Sequence, residues 1–230
     1  MNTYRVVVET WLSKKPKYDA FPVTFFLTLI VLIFSFSFFS DFLHAEDRLA
    51  ATQQLVFEKH EIWRAWTTLF VHADLGHLMS NAAFLIPLTF FLSGYFGPRL
   101  IPILSVLSGG LINLVVLKTM PATTLLIGIS GVVYWMGSVW LSLYVLIDRR
   151  VRLRRRLAQA LFLSVVLFAP EAYKPEVSYL SHLLGFVFGV LCGSVIYLVG
   201  RKKFIAAETI IMKTDEDPVL DHIDVAGKLS

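Results

Sequence analysis

Apolar and polar residues in this chain segregate into long blocks rather than alternating in short periods. Residues 21–39 carry no charge and are numerous enough to cross a hydrocarbon core of about 30 Å as one helix. Comparable runs follow at 72–93, 100–117, 130–147 and 179–199, with a shorter one at 157–169. The pattern predicts six membrane-spanning helices, the fifth short for a full crossing. Residues 40–71 are mixed: Glu46, Asp47, Arg48, Glu58, Lys59, Glu61 and Arg64 interleave with Phe57, Ile62, Trp63 and Trp66. Such a segment suits the headgroup layer, with Trp63-Arg64 as an anchor at the interface. Gly97-Pro98-Arg99 reads as a tight turn, and 118–124 and 170–176 read as loops. The first run is followed by Asp41-Phe42-Leu43-His44 and not by a small-residue cleavage site, so it reads as a retained helix. Residues 1–20 form a short N-terminal segment, 21–200 the helical domain, and 201–230 a polar, solvated tail.

Composition agrees with this reading. Hydrophobic residues make up 56% and charged residues 17% of the 230 positions, against about 45–50% and 25% in soluble domains. A compact soluble domain could not bury that much apolar surface, so the fold class is an all-α polytopic membrane protein. The net charge of +4 does not point to nucleic acid, because the cations sit in a few loops between apolar runs. With six crossings, sixteen of the 21 Lys and Arg fall on one side and five on the other. That bias puts both termini in the cytoplasm. The six Arg between 149 and 156 act as a topology determinant and face membrane lipid headgroups. The single Cys192 allows no intrachain disulfide. No internal repeat is visible, which argues against a transporter built from inverted halves.

The topology brings the candidate chemistry together. The second, fourth and sixth runs cross in the same direction, and their polar residues lie near their starts: His77 and Asn81, Ser130, and His182. Polar groups at membrane depth face one another or water. His77 and Asn81, at i and i+4, share a helix face, as do Ser130 and Tyr134. Gly185, Gly189 and Gly193 repeat every fourth residue after His182, a face on which another helix can approach closely. If that helix carries Ser130 and Gly131, His182 reaches Ser130, the minimum pair for nucleophilic acyl transfer. Taken alone, Ser130 is also readable as a packing residue, Asn81 as interhelical glue, and His72, His77 and His182 as three nominal metal ligands. No HExxH or carboxylate cluster accompanies the histidines.

The joint set resembles the rhomboid intramembrane serine proteases. The matching residues are Trp63-Arg64, His72, His77-x-x-x-Asn81, Gly128-x-Ser130-Gly131 with Tyr134, and Ser181-His182-x-x-Gly185-x-x-x-Gly189, in family order over roughly residues 21–200. The resemblance implies a Ser130 nucleophile with His182 as general base and acid, and no carboxylate, cofactor or metal. It implies an oxyanion hole from the side chains of His77 and Asn81 with the Ser130 backbone N–H, and a Tyr134 ring that fixes His182. Gly128, Gly131, Gly185 and Gly189 support the pair. The implied substrates are transmembrane segments of other membrane proteins, reached through a gate at the fifth helix. The expected setting is a bacterial inner membrane, with the site opening to the outer face. The chain departs from the family pattern at Ser93-Gly94-Tyr95-Phe96-Gly97, where many members carry an acidic residue. The alternative is a non-proteolytic, rhomboid-like protein that binds membrane clients. Such relatives usually lack the Ser or the His. A channel would need polar residues through to the inner face, and here they stop in the outer half.

Overall fold

The computed structural model describes residues 3–42, 44–168 and 178–214. The expected 170–176 loop and the tail beyond 214 lie outside the described residues. In chain order the helices are α1 (Phe21–Phe39), α2 (Ala45–Leu49), α3 (Arg64–Thr67), α4 (Leu75–Phe96), α5 (Leu100–Leu117), α6 (Ser130–Ile147), α7 (Leu153–Phe168) and α8 (Tyr179–Ala206). Five of them, α1, α4, α5, α6 and α8, are long and apolar enough to cross a membrane. The fifth expected span, α7, has 16 residues and is not among those five.

The three runs expected at 21–39, 100–117 and 130–147 are α1, α5 and α6. The second run starts later than its polar residues suggested, at Leu75. Asp74 caps it there, its carboxylate accepting the His77 backbone N–H at 2.8 Å. The last helix does not stop at Arg201-Lys202-Lys203 but runs through them to Ala206. Lys and Arg are good helix formers, and cations are favourable in a final turn. Likewise α7 begins at Leu153 and takes in part of the Arg cluster.

The central helix is α6. Of its span 67% is buried, and no other span exceeds 44%. Glycines set how closely α8 approaches it. A Cβ on Gly185 would strike the Gly131 carbonyl, and one on Gly189 would strike the Trp135 carbonyl and the Ser138 hydroxyl. One on Gly193 would lie 2.9 Å from Ser142 Cβ and 3.0 Å from the Val139 carbonyl oxygen. Dispersion along this seam is gained because the backbones nearly touch. From α5, Gly109 admits Val132 of α6, and Gly110 admits the Trp66 ring.

At one end of the bundle the loops are stitched together. Arg64 is buried, donating to the Ala50 carbonyl at 2.9 Å and to the Glu61 carboxylate, and it stacks on Trp63 at 4.8 Å. Of the expected Trp63-Arg64 anchor, only Trp63 faces outward, 50% exposed; Arg64 holds the loop from inside. The segment leading into α6 is tied to this loop. Leu126 N–H donates to Ala51 at 2.8 Å, Gly128 N–H to Thr68 at 3.1 Å, and the Thr68 hydroxyl to Leu126. Asn113 of α5 donates to the Ala65 carbonyl at 2.9 Å.

At the opposite end a two-stranded sheet joins the chain's extremities. Strand β1 (Thr3–Glu9) pairs antiparallel with β2 (Thr209–Thr214), with Thr3 opposite Thr214. The residues between β1 and α1 clasp α4. The Tyr95 hydroxyl reaches the carbonyls of Leu12 at 3.1 Å and Lys14 at 2.9 Å, and Trp11 Nε1 donates to the Tyr95 carbonyl at 3.3 Å. Tyr95 therefore fastens the region that lacks the acidic residue. Just past α6, burial alone would raise the Asp148 pKa. Arg150, donating twice at 2.8 Å, more than offsets this and holds the carboxyl below its ordinary range.

Candidate active site

Helices α4, α6 and α8 all start at the stitched end, so their first turns share one depth. Ser130 is the first residue of α6. A first-turn N–H has no acceptor in its own helix and lies at the positive end of the helix dipole. His182 is in the first turn of α8, where the Ser178 hydroxyl caps the helix by accepting Ser181 N–H. Ser130 Oγ and His182 Nε2 stand 2.9 Å apart, within hydrogen-bond range.

This distance depends on small residues. A Cβ on Gly131 would meet Ser181 Oγ at 2.5 Å, and Gly185 faces the Gly131 carbonyl. The two helix starts thus meet backbone to backbone on either side of His182. Tyr134, one turn beyond Ser130, stacks on the His182 imidazole with centroids 3.9 Å apart and planes at 14°. The ring is buried, held on its face by Tyr134 and at its edge by Ser130.

His77 and Asn81 reach the same place from α4. The His77 ring lies against Gly128, where a Cβ would sit 2.8 Å from Cε1 and 3.1 Å from Nε2. Gly128 also has φ +107, a conformation that favours glycine. It is therefore required twice, for the backbone turn into Ser130 and for the imidazole beside it. Asn81 is buried, and its side-chain amide donates one bond to the His77 carbonyl at 3.0 Å. An amide nitrogen carries two protons, so a second donor remains. The structure thus brings Gly128, Ser130, Gly131, Tyr134, His182, Gly185, His77 and Asn81 together; Gly189 sits farther along the seam.

His72 lies in the short stretch before α4. It lies outside the spans, is fully buried, and meets Ser35 of α1, Nδ1 to Oγ, at 2.9 Å. The Ser35 hydroxyl donates its one proton to the Phe70 carbonyl at 3.1 Å. His72 Nδ1 must therefore carry the proton of the shared contact. The ring packs edge-on to His77 at 5.0 Å. Burial first, then the nearby His77, lowers the His72 pKa to about 3, with Asp74 opposing. In the unfolded chain the value is 6.5. Between those values the unfolded state binds more protons. The stability is complete above pH 6.5 and falls with acid, by up to about 1.4 kcal/mol per pH unit. Melting temperatures from about pH 8 to pH 4 should bend downward below the unfolded value. The His72→Asn variant, which retains a donor to Ser35, should show a flatter acid limb. Parallel curves would mean that His72 takes up its proton in the folded protein as readily as in the unfolded chain.

Among the described residues, no group of three His, Cys, Asp or Glu is arranged to hold a metal ion. Sequence reasoning missed the Asp74 cap that orients His77, although Asp before an apolar run is a recognised helix-start signal. It also missed Ser35, which nothing distinguished from other serines in apolar runs. In a comparison with protein families, the model described as Rhomboid domain matches residues 59–199, more than half of the chain. That range holds every candidate site residue. A comparison with curated proteins finds no match.

Proposed function

The chain belongs to the rhomboid family, and we propose that it is an intramembrane serine endopeptidase that cuts transmembrane segments of other proteins. The family model and the apolar helices make it an integral membrane protein. The observation that carries the reading is the 2.9 Å contact between Ser130 Oγ and His182 Nε2 at the start of two helices. In the proposed reaction Ser130 gives its proton to His182 Nε2 as Oγ attacks the scissile carbonyl. The oxyanion receives the Ser130 N–H and donors from His77 and Asn81. Collapse transfers the proton from His182 to the leaving amine and leaves an acyl-enzyme. Water, deprotonated by His182, then attacks the ester and frees Ser130. Tyr134 keeps the imidazole in line without exchanging a proton. A substrate helix must unwind first, because its carbonyls are bonded internally.

With α7 counted as a short crossing, the set is six, and the Lys and Arg distribution then favours both termini in the cytoplasm. This puts the site toward the outer face of the membrane. The short α7 suits a gate. The protein, reconstituted in liposomes, should cleave a transmembrane substrate with small residues near the cut and should label with a fluorophosphonate. Asn81→Ala should lower kcat roughly 100-fold with KM unchanged, as loss of one oxyanion donor does. Wild-type protein that neither cleaves nor labels would point to the client-binding alternative.

A further inference from the structure

At the end of the bundle remote from Ser130, a cavity of about 430 Å³ opens between α6 and α7. Trp140, Leu141, Phe162 and Leu163 make its walls apolar, and Tyr144 and Gln159 supply its polar atoms, joined by a 2.6 Å bond from the Tyr144 hydroxyl to Gln159 Oε1. Asp148, Arg150, Arg155 and Arg156 all lie close enough to act electrostatically on Tyr144. Arg156 shares the face of α7 that carries Gln159 and Leu163, at i, i+3 and i+7. Unlike Arg152, Arg154 and Arg155, which are exposed, it is buried, with 9% of its surface accessible. Its Nη1 donates to the Val145 carbonyl, next to Tyr144, while its Nε is buried with no hydrogen-bond partner. Among the described residues no carboxylate pairs with it: Asp148 is held by Arg150, and Glu208 by Arg149.

A buried guanidinium with an unmet donor calls for an anion, and its fork matches a phosphate. The apolar walls beside it call for a hydrocarbon chain. From Arg156 to Leu163 the helix rises about 10 Å, so the two demands are stacked along the membrane normal as the parts of a lipid are. We propose that the α6–α7 cavity is a phospholipid-binding site, with the phosphate at Arg156 and one acyl chain between Trp140, Leu141, Phe162 and Leu163. The volume lies within the range of small-ligand sites, about 300–1,000 Å³. The site stands whether or not the chain is a protease. In the orientation given by the basic loops, its ligand comes from the cytoplasmic leaflet.

The test is photo-crosslinking of the full-length protein, purified in detergent, with a phosphatidylglycerol bearing a diazirine in its acyl chain. Adducts should map to the lining residues of α6 and α7. Arg156→Gln should weaken labelling about tenfold, the loss of one charge-assisted contact, and Arg156→Lys less. Leu163→Trp, which keeps the arginine and fills the cavity at a part-exposed position, should block labelling with an unchanged melting temperature. It decides the matter if Arg156→Gln fails to fold. Equal labelling of wild type and Leu163→Trp overturns the proposal. So does abolition of labelling by excess inorganic phosphate, which marks a soluble-anion site. So does adduct formation with a transmembrane peptide to the exclusion of lipid.

Discussion

Replacing Ser130 by alanine should reduce cleavage of a transmembrane substrate roughly 10⁴-fold or more and remove labelling by a fluorophosphonate. His182→Ala should do the same, and the double variant should be no worse than either single one. The reason is that the two side chains act as a unit: a Ser hydroxyl without its base is a poor nucleophile, and an imidazole without the hydroxyl has nothing to activate. Folding should change little for Ser130→Ala. The substituted position is the first of α6, where alanine is tolerated, and the Tyr134–His182 stack does not involve the hydroxyl. A melting-temperature shift of more than a few degrees, about 1 kcal/mol in a chain of this size, would mean that Ser130 is a packing residue whose loss disturbs the helix. Undiminished labelling of Ser130→Ala would falsify the assignment of the nucleophile. Additive losses in the double variant would separate His182 from the same step.

Much of this site was legible in the sequence because topology and chemistry constrain each other. Charge-free runs located α1, α5 and α6 to the residue. Parallel crossings then put His77, Asn81, Ser130 and His182 at one depth, and the four-residue spacing of Gly185, Gly189 and Gly193 indicated which helix face meets another. The missing parts depend on contacts between distant segments. Nothing in Leu126-Ile127-Gly128 announces a positive φ; the Thr68 and Ala51 contacts that tie this stretch down come from a loop that precedes it by 58 residues at Thr68 and reaches back further, to Ala51. His72 owes its depth to α1, where Ser35 meets it. The β1–β2 pair joins Thr3 to Thr214, and neither strand is recognisable until α1 and α8 are known to bring the two ends together. Arg64 carries a charge that suggested an exposed position, yet the Ala50 carbonyl and the Glu61 carboxylate satisfy it inside.

The seam between α6 and α8 tests whether the dyad's geometry is held from a distance. Gly189 touches no reacting atom: it lies seven residues beyond His182, about 10 Å along the helix. A Cβ there would nonetheless strike the Trp135 carbonyl and the Ser138 hydroxyl. The hydroxyl can rotate aside, but the carbonyl belongs to the backbone of the central helix and cannot. Gly189→Ala must therefore push the helices apart, at a cost of about 1–3 kcal/mol for an overpacked contact. The displacement passes to the first turn of α8, because the two helical turns between Gly189 and His182 move as a rigid body. A misplacement of about 1 Å at the 2.9 Å Ser130–His182 contact should cost roughly 100-fold in kcat, with KM little changed. Gly193→Ala, whose clearances are 2.9 and 3.0 Å and which lies one turn farther away, should lose less of both. Leu191, 57% exposed on the outer side of the same helix, should accept alanine without loss of either. Should Gly189→Ala retain full activity and melting temperature, α8 does not approach α6 through its glycines, and the close backbone contact would no longer explain how His182 reaches Ser130.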